Sequence, residues 1–331
     1  MELVCPAGAL PSLKAAIDNG ADWVYAGLRD DTNARNFPGL NFDDASLAEG
    51  IAYAHRLRRK VVLAVNTYPQ AANWPRWTAA IDRADALGAD AVIVADPGLL
   101  RYASRKHPRL ELHLSVQASA TSYEAIELFR ERFGVRRAVL PRVLSLTQVE
   151  QVIRRTGVEI EVFGFGGLCV MAEGRCSLSG YACGESPNAS GACSPAWAVR
   201  WKETPAGLES RLNGILIDRY GPGERAAYPT VCKGRYVSGS ATYYAFEEPV
   251  SLNTLDLLGE FHRIGVRAVK IEGRQRSPAY VAQVTRVWRA AIDALAAQPD
   301  AFRVKPEWMA ALGRQAEGSQ CTLGAFSRPW K

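Results

Sequence analysis

Four cysteines, Cys169, Cys176, Cys193 and Cys232, lie in a stretch rich in glycine and serine that holds no histidine. Thiolates are soft ligands, so a group of this kind suits a zinc ion or an iron-sulfur centre. The spacing, C-x6-C-x16-C-x38-C, contains none of the close C-x2-4-C pairs that zinc ribbons and fingers use. Spacing alone still leaves zinc and iron-sulfur both open. The segment that carries the first two thiols, Glu161-Val-Phe-Gly-Phe-Gly-Gly-Leu-Cys169-Val-Met-Ala-Glu-Gly-Arg-Cys176, runs from an apolar stretch through glycines, residues that let a backbone come close to a bound group.

The elements that must position these thiols are short apolar runs alternating with amphipathic helical patterns, the mark of parallel βα units. Strands are expected at 2–5, 23–27, 60–66, 91–96, 110–117, 137–141, 160–164 and 266–272, which predicts an α/β fold, a TIM-like (β/α)8 barrel. Helices are expected at 10–19 and 74–87, each followed by glycine, and at 278–295, where Ser277 caps and Pro278 opens the first turn. A typical barrel needs ~250 residues, and this chain has 331. The surplus falls between the seventh and eighth strands. The expected organisation is a barrel from 1–165 and 266–298, an insertion over 166–265 that carries all four cysteines, and a C-terminal extension over 299–331.

At 48% hydrophobic residues, such a chain buries roughly 75% of the surface it exposes when unfolded. Its formal charge of +6 permits an RNA or anionic-membrane partner, but runs such as 55–60 and 130–137 end predicted helices, where cations suit the macrodipole. The first residues have no basic region followed by an apolar one, and no apolar run approaches the ~20 residues that span a bilayer. A cytoplasmic protein is expected, in which seven cysteines serve ligation, catalysis or burial rather than disulfides.

The pattern E-x-F-x-x-G-x-L-C-x4-G-x-C-x-L-S, from Glu161 to Ser179, resembles the signature of the family historically called peptidase U32. The resemblance extends through Cys5-Pro-Ala-Gly8, Asp31-Thr-Asn-Ala-Arg35, Ser115-Val-Gln-Ala-Ser119, Leu140-Pro-Arg142, Gly184-Glu-Ser-Pro-Asn188, Gly191-Ala-Cys-Ser-Pro195, Cys232-Lys-Gly234 and the run from Lys270 to Pro278. It covers about residues 1 to 296 and, on these motifs, is absent from the tail. Within the family it is similar to the ubiquinone-biosynthesis branch. That resemblance implies a [4Fe-4S] cluster on Cys169, Cys176, Cys193 and Cys232, and oxygen-independent ring hydroxylation of ubiquinone precursors. It implies prephenate as hydroxyl donor, a UbiV-type U32 partner in a heterodimer, and a lipid-binding accessory protein that carries the hydrophobic substrate. The signature usually has Ser or Ala where this chain has Gly167.

Polar residues at the C-terminal ends of barrel strands are binding or catalytic candidates. Here they are Tyr25, Asn66, Asp96, Gln117, Arg142, Lys270, Glu272 and Arg274, with Gln117, Arg142, Lys270, Glu272 and Arg274 the catalytic set. Arg142 and Arg274 would clamp two carboxylates of the donor, because guanidinium forks match carboxylates; alternatively Glu272 pairs with a neighbouring cation as a structural network. The loop at 31–35 would cover the mouth or remain solvated. Residues 185–188 and 194–195 would shape the cluster pocket. Cys183 is either a fifth thiol near the cluster or, the favoured reading, an inert small hydrophobe; Cys5 and Cys321 are expected to be inert as well, although Cys5, ending the first strand, is expected to face the barrel mouth. Rival readings are hydroxylation of RNA bases, a peptidase for which His113 is the credible base, and a zinc-stapled interaction module.

Overall fold

The computed structural model describes residues 1–187, 192–318 and 320–328. Asn188 and Gly191 of the motifs lie outside the described residues. The chain opens with β1 (Glu2–Pro6), α1 (Leu10–Asp18), β2 (Trp23–Gly27), α2 (Asp44–Arg56), β3 (Lys60–Val65), α3 (Trp74–Ala86), β4 (Ala91–Val94), α4 (Pro97–Lys106), β5 (Glu111–Leu114), α5 (Tyr123–Phe133), β6 (Arg137–Val139), α6 (Leu146–Arg155) and β7 (Glu159–Gly167). Helix starts are fixed by local chemistry. Asp96 accepts from the Leu99 amide to cap α4, and Ser145 and Gln148 form a reciprocal capping box on α6.

After β7 the chain leaves the barrel. It forms α7 (Leu178–Cys183), an antiparallel sheet of β8 (Val199–Thr204), β9 (Gly207–Leu212) and β10 (Ile215–Tyr220), and a hairpin of β11 (Arg235–Ser238) and β12 (Ala241–Tyr244). It returns through β13 (Ser251–Asn253), antiparallel to β7, then α8 (Leu258–Ile264), β14 (Ala268–Ile271), α9 (Pro278–Ala297), α10 (Pro306–Gly313) and β15 (Cys321–Thr322). β14 pairs in parallel with both β1 and β7. The eight parallel strands therefore close on themselves, with the insertion between the seventh and eighth.

Residues alternate between two cores, as the period of a strand requires. Val4, Trp23, Tyr25, Val62, Ala91, Ile93 and Ala268 fill the barrel interior. Leu3, Cys5, Val24, Val61, Leu63, Val92 and Val269 join the larger core beneath the helices, with Trp288 fully buried. Cys5 corrects the expectation made for it. It lies on the outer face, where the Thr285 hydroxyl of α9 donates to its sulfur at 3.2 Å, and burial pushes its thiol up to about 12. The tail packs against the body. β15 extends β13 in parallel, and Leu312 is fully buried among the barrel helices.

Candidate active site and cysteine-bearing loop

The mouth is built where β7 and β14 end together. Their pairing shifts register between Lys270 and Ile271, a bulge that re-aims the strand end. Gly166 there has φ +132, and a Cβ on it would lie 2.6 Å from the Glu272 side chain, so only glycine lets the cysteine-bearing loop leave this close to Glu272. Gly167 is different. A Cβ there would meet Glu272 at an ordinary 3.5 Å, so the family's usual Ser or Ala also has room.

The loop that follows is pinned to the end of β5. The Ser119 hydroxyl donates to the Glu173 carbonyl, and Arg175 donates to the Ser119 carbonyl at 3.2 Å. Gly174, at φ +88, has no room for a Cβ, which would fall 1.9 Å from the Gln117 carbonyl. Residues 173–175 therefore form one wall of the mouth with 117–119.

Glu272 is the hub of the ion network here. It accepts from Arg142 at 2.7 Å and from Arg35 at 3.4 Å. Burial opposes its charge, but Arg142 and Arg35 together hold its carboxyl below the usual range. Arg142 also faces Glu173 at 3.5 Å and stacks 3.7 Å from the Phe163 ring centroid. Arg274 donates to Asn33 at 2.9 Å, and burial lowers it to about 10. The two arginines expected to clamp a donor are thus already partnered, Arg142 by carboxylates and Arg274 by an amide; a bound carboxylate must share those contacts. The Glu272 network is the structural alternative raised for the same residues.

Lys270 donates to Glu161 at 2.7 Å, deeper in the barrel, and its ammonium lies 4.1 Å from the Tyr25 ring centroid. Burial pushes the Lys270 amine down, partly offset by Glu161. Tyr25 donates to the Ile271 carbonyl at 2.9 Å. Tyr25, Asn66, Ser115, Lys270 and Arg274 line a cavity of about 50 Å³ at the mouth. A larger surface hollow of about 440 Å³, lined by Tyr243, Tyr244 and Phe246, lies on the β11–β12 hairpin instead. The barrel mouth is the chemically equipped one. Asn66 holds the covering loop by accepting from the Ala34 amide at 3.0 Å, and Thr32 and Asn33 are fully buried, so the segment at 31–35 packs over the mouth. Asp96 is turned to capping α4.

Near this mouth Cys193 lies within electrostatic reach of Cys232 and Cys176, and Cys169 within reach of Cys193. Burial pushes the Cys193 thiol up; Arg35 opposes that, and Cys232 and Cys176 add to it. Cys232 is raised by burial, with Lys233 opposing and Cys176 contributing. Cys169 is raised by burial and then by Glu173, with Arg142 opposing and Cys193 adding. Cys169, Cys193 and Cys232 thus each feel another thiol of the set, and three cations, Arg35, Arg142 and Lys233, oppose the rise. A polythiolate centre has net negative charge, and such a donor set with surrounding cations fits an iron-sulfur cluster in its chemistry. Among the described residues, no three of His, Cys, Asp and Glu stand close enough to hold one metal ion. Cys183 lies elsewhere, packed with Ala182, Ala198, Leu212 and Ile217.

His113 is at the opposite end of the barrel, paired with Glu111 at 2.9 Å and tilted against Trp23; burial lowers its pKa. It cannot serve as a base in the mouth. Arg35, Asn33, Glu161 and Glu173 were not singled out one by one from the sequence. Asn33 and Arg35 carried a signal as members of the motif at 31–35 and Glu161 as the first position of the signature, while Glu173 fell at one of its unspecified positions.

The family model described as peptidase family U32 matches residues 8–328, so the likeness continues through the packed tail that the motifs had left out. The tRNA hydroxylation protein P of Escherichia coli (strain K12) is 34% identical over 318 residues, 89% of this chain and 68% of that protein. The tRNA hydroxylation protein P1 of Bacillus subtilis (strain 168) is 29% identical over 324 residues, 97% of this chain and 70% of that one. The 23S rRNA 5-hydroxycytidine C2501 synthase of Escherichia coli (strain K12) is 30% identical over 295 residues, 89% of this chain and 40% of the synthase.

Proposed function

The chain belongs to peptidase family U32, and on that premise we propose that it is the iron-sulfur component of an oxygen-independent hydroxylation system acting on an unsaturated or aromatic ring. The observation that supports this reading is the electrostatic proximity that links Cys169, Cys176, Cys193 and Cys232 near a barrel mouth where Arg35 and Arg142 meet Glu272 and Arg274 lines the cavity. Those four cysteines would hold a [4Fe-4S] cluster, which supplies one-electron redox capacity when bound. Arg142 and Arg274 would orient an anionic hydroxyl donor such as prephenate by sharing their present contacts with Glu272 and Asn33. Gln117 would orient the substrate, and Lys270 and Glu161 would hold the floor of the site. Asn33 and the loop around it would exclude water.

The named relatives favour an RNA base as the ring, and the net charge of +6 suits such a partner. A second reading, a UbiU-type subunit that hydroxylates a ubiquinone precursor with a UbiV-type partner and a lipid-binding carrier in the cytoplasm, draws on the sequence motifs and on the insertion surface. That surface exposes Tyr181, Trp197, Trp201, Ile215, Val237 and Phe246. Over residues 196–250 it carries seven Lys and Arg against six Asp and Glu, which suits protein or lipid better than a phosphate backbone. A peptidase would need a nucleophile and base together, and His113 is at the wrong end. Deleting the gene, growing cells without oxygen, and measuring ubiquinone and hydroxylated RNA bases decides between the two substrates. Loss of the RNA modification alone supports the first, loss of ubiquinone alone the second, and loss of neither overturns ring hydroxylation.

A further inference from the structure

Beside the mouth, three acceptor atoms are buried without a well-aligned hydrogen-bond partner among the described residues: both carboxylate oxygens of Glu173, which the amides of Glu173 and Arg142 approach, and the amide oxygen of Gln117. Each residue is only 9% exposed. Unsatisfied buried acceptors are costly and uncommon, and they call for an explanation. Glu173 is not needed as counter-ion to Arg142, since Glu272 already accepts from that guanidinium at 2.7 Å while Glu173 stands off at 3.5 Å. Nor is its position accidental. The Ser119 bond to its carbonyl and the tight fit of Gly174 against Gln117 fix residues 173 and 117 on the same wall.

We propose that Glu173 and Gln117 form a subsite that receives a hydrogen-bond-donating O–H or N–H group on the ring to be hydroxylated. Arg35, Arg142 and Arg274 lie around the same mouth, so a cationic amine is disfavoured there. A neutral donor, either a phenolic hydroxyl or the ring N–H of a pyrimidine, satisfies the acceptors without adding positive charge. Glu173 is thereby a specificity-determining residue: a site built to bind a donor rejects the analogue that lacks it. This inference rests on the ring-hydroxylation reading, and its test is separate from the deletion strain.

The experiment uses the full chain purified without oxygen and ligand-observed saturation-transfer NMR with two pairs of probes, phenol against anisole and uridine against 3-methyluridine. The wild-type protein is expected to favour the donor-bearing member of at least one pair by roughly tenfold in affinity. Preference within the phenol pair marks a phenolic precursor, and preference within the uridine pair marks an RNA base. Glu173→Ala is expected to abolish the preference while iron content and visible spectrum stay at the wild-type level. Glu173→Gln, which keeps one acceptor, is expected to reduce it to about threefold. If the alanine variant loses iron, the glutamine variant carries the test. No preference in the wild type, or an unchanged preference in whichever variant retains iron, overturns the proposal. A preference that behaves as expected, beside a deletion strain with normal ubiquinone and RNA, leaves the subsite standing and removes the substrate reading.

Discussion

The two ends of the barrel are built from the same kinds of residue and finish differently. At the N-terminal end Arg137 is almost completely buried, bonded to Glu2 and Glu159 and facing Glu161 at 3.6 Å, while Arg267 adds a further bond to Glu2. Every carboxylate there is met by a cation. At the C-terminal end Arg142 is also buried, but Glu173 and Gln117 keep unmatched oxygens and cysteine thiols stand nearby. The N-terminal end leaves over a donor, Arg137 Nη1, surrounded by carboxylates, whereas the C-terminal end leaves over acceptors, which have a donor to receive. The difference identifies the functional end without reference to any relative.

The largest expected effect falls on the thiols. Replacing Cys169, Cys176, Cys193 or Cys232 by alanine should each abolish bound iron and hydroxylated product, as iron analysis and product measurement in cells will show. The two arginines separate the ends next. Arg137→Ala should cost about 3–5 kcal/mol of stability in denaturant unfolding, because it strands buried carboxylates, while the folded fraction keeps its iron. Arg142→Lys should lose at least about tenfold in product formation, because an ammonium cannot reach Glu272 with one nitrogen and Glu173 with another as the guanidinium does, with a smaller change in stability. Equal stability losses at the two ends would remove the distinction.

Glu173 gives a pH-dependent version of the same contrast. Burial raises its carboxyl to about 7, with Arg142 opposing, above the usual value of about 4.3. A raised carboxyl favours folding below the unfolded pKa, and that contribution is lost as pH rises through the folded one. Glu173→Gln should therefore be more stable than the wild type near pH 8, by up to about 3 kcal/mol, with the advantage shrinking toward pH 4. A constant difference across that range would contradict the assignment. The smallest effect is expected at Cys183, where Cys183→Ala should cost about 1 kcal/mol for a small buried side chain and leave iron content unchanged.

The barrel was legible because its strands are runs of Val, Ile and Leu buried on both faces, such as 60–65 and 91–94. The sheets of the insertion were not. β8 is largely exposed, so its sequence has no apolar signature, although Asn213-Gly214 with positive φ at both positions is a hairpin signal that was there to be read. Cys5 was misplaced because position at a strand end was weighed above alternation. Its neighbour Val4 points inward and Cys5 therefore outward. The family resemblance proposed the ligand set, whereas the placement of Glu173 depends on a register between two loops that no spacing encodes.

The central claim, that Cys169, Cys176, Cys193 and Cys232 hold an iron-sulfur cluster near the mouth, is tested most directly by purifying the chain without oxygen and assaying iron, inorganic sulfide and zinc. The account predicts iron and sulfide in equal amounts, both lost when Cys193 is replaced by alanine and retained when Cys183 is. A colourless protein that binds zinc through the same four cysteines would contradict it.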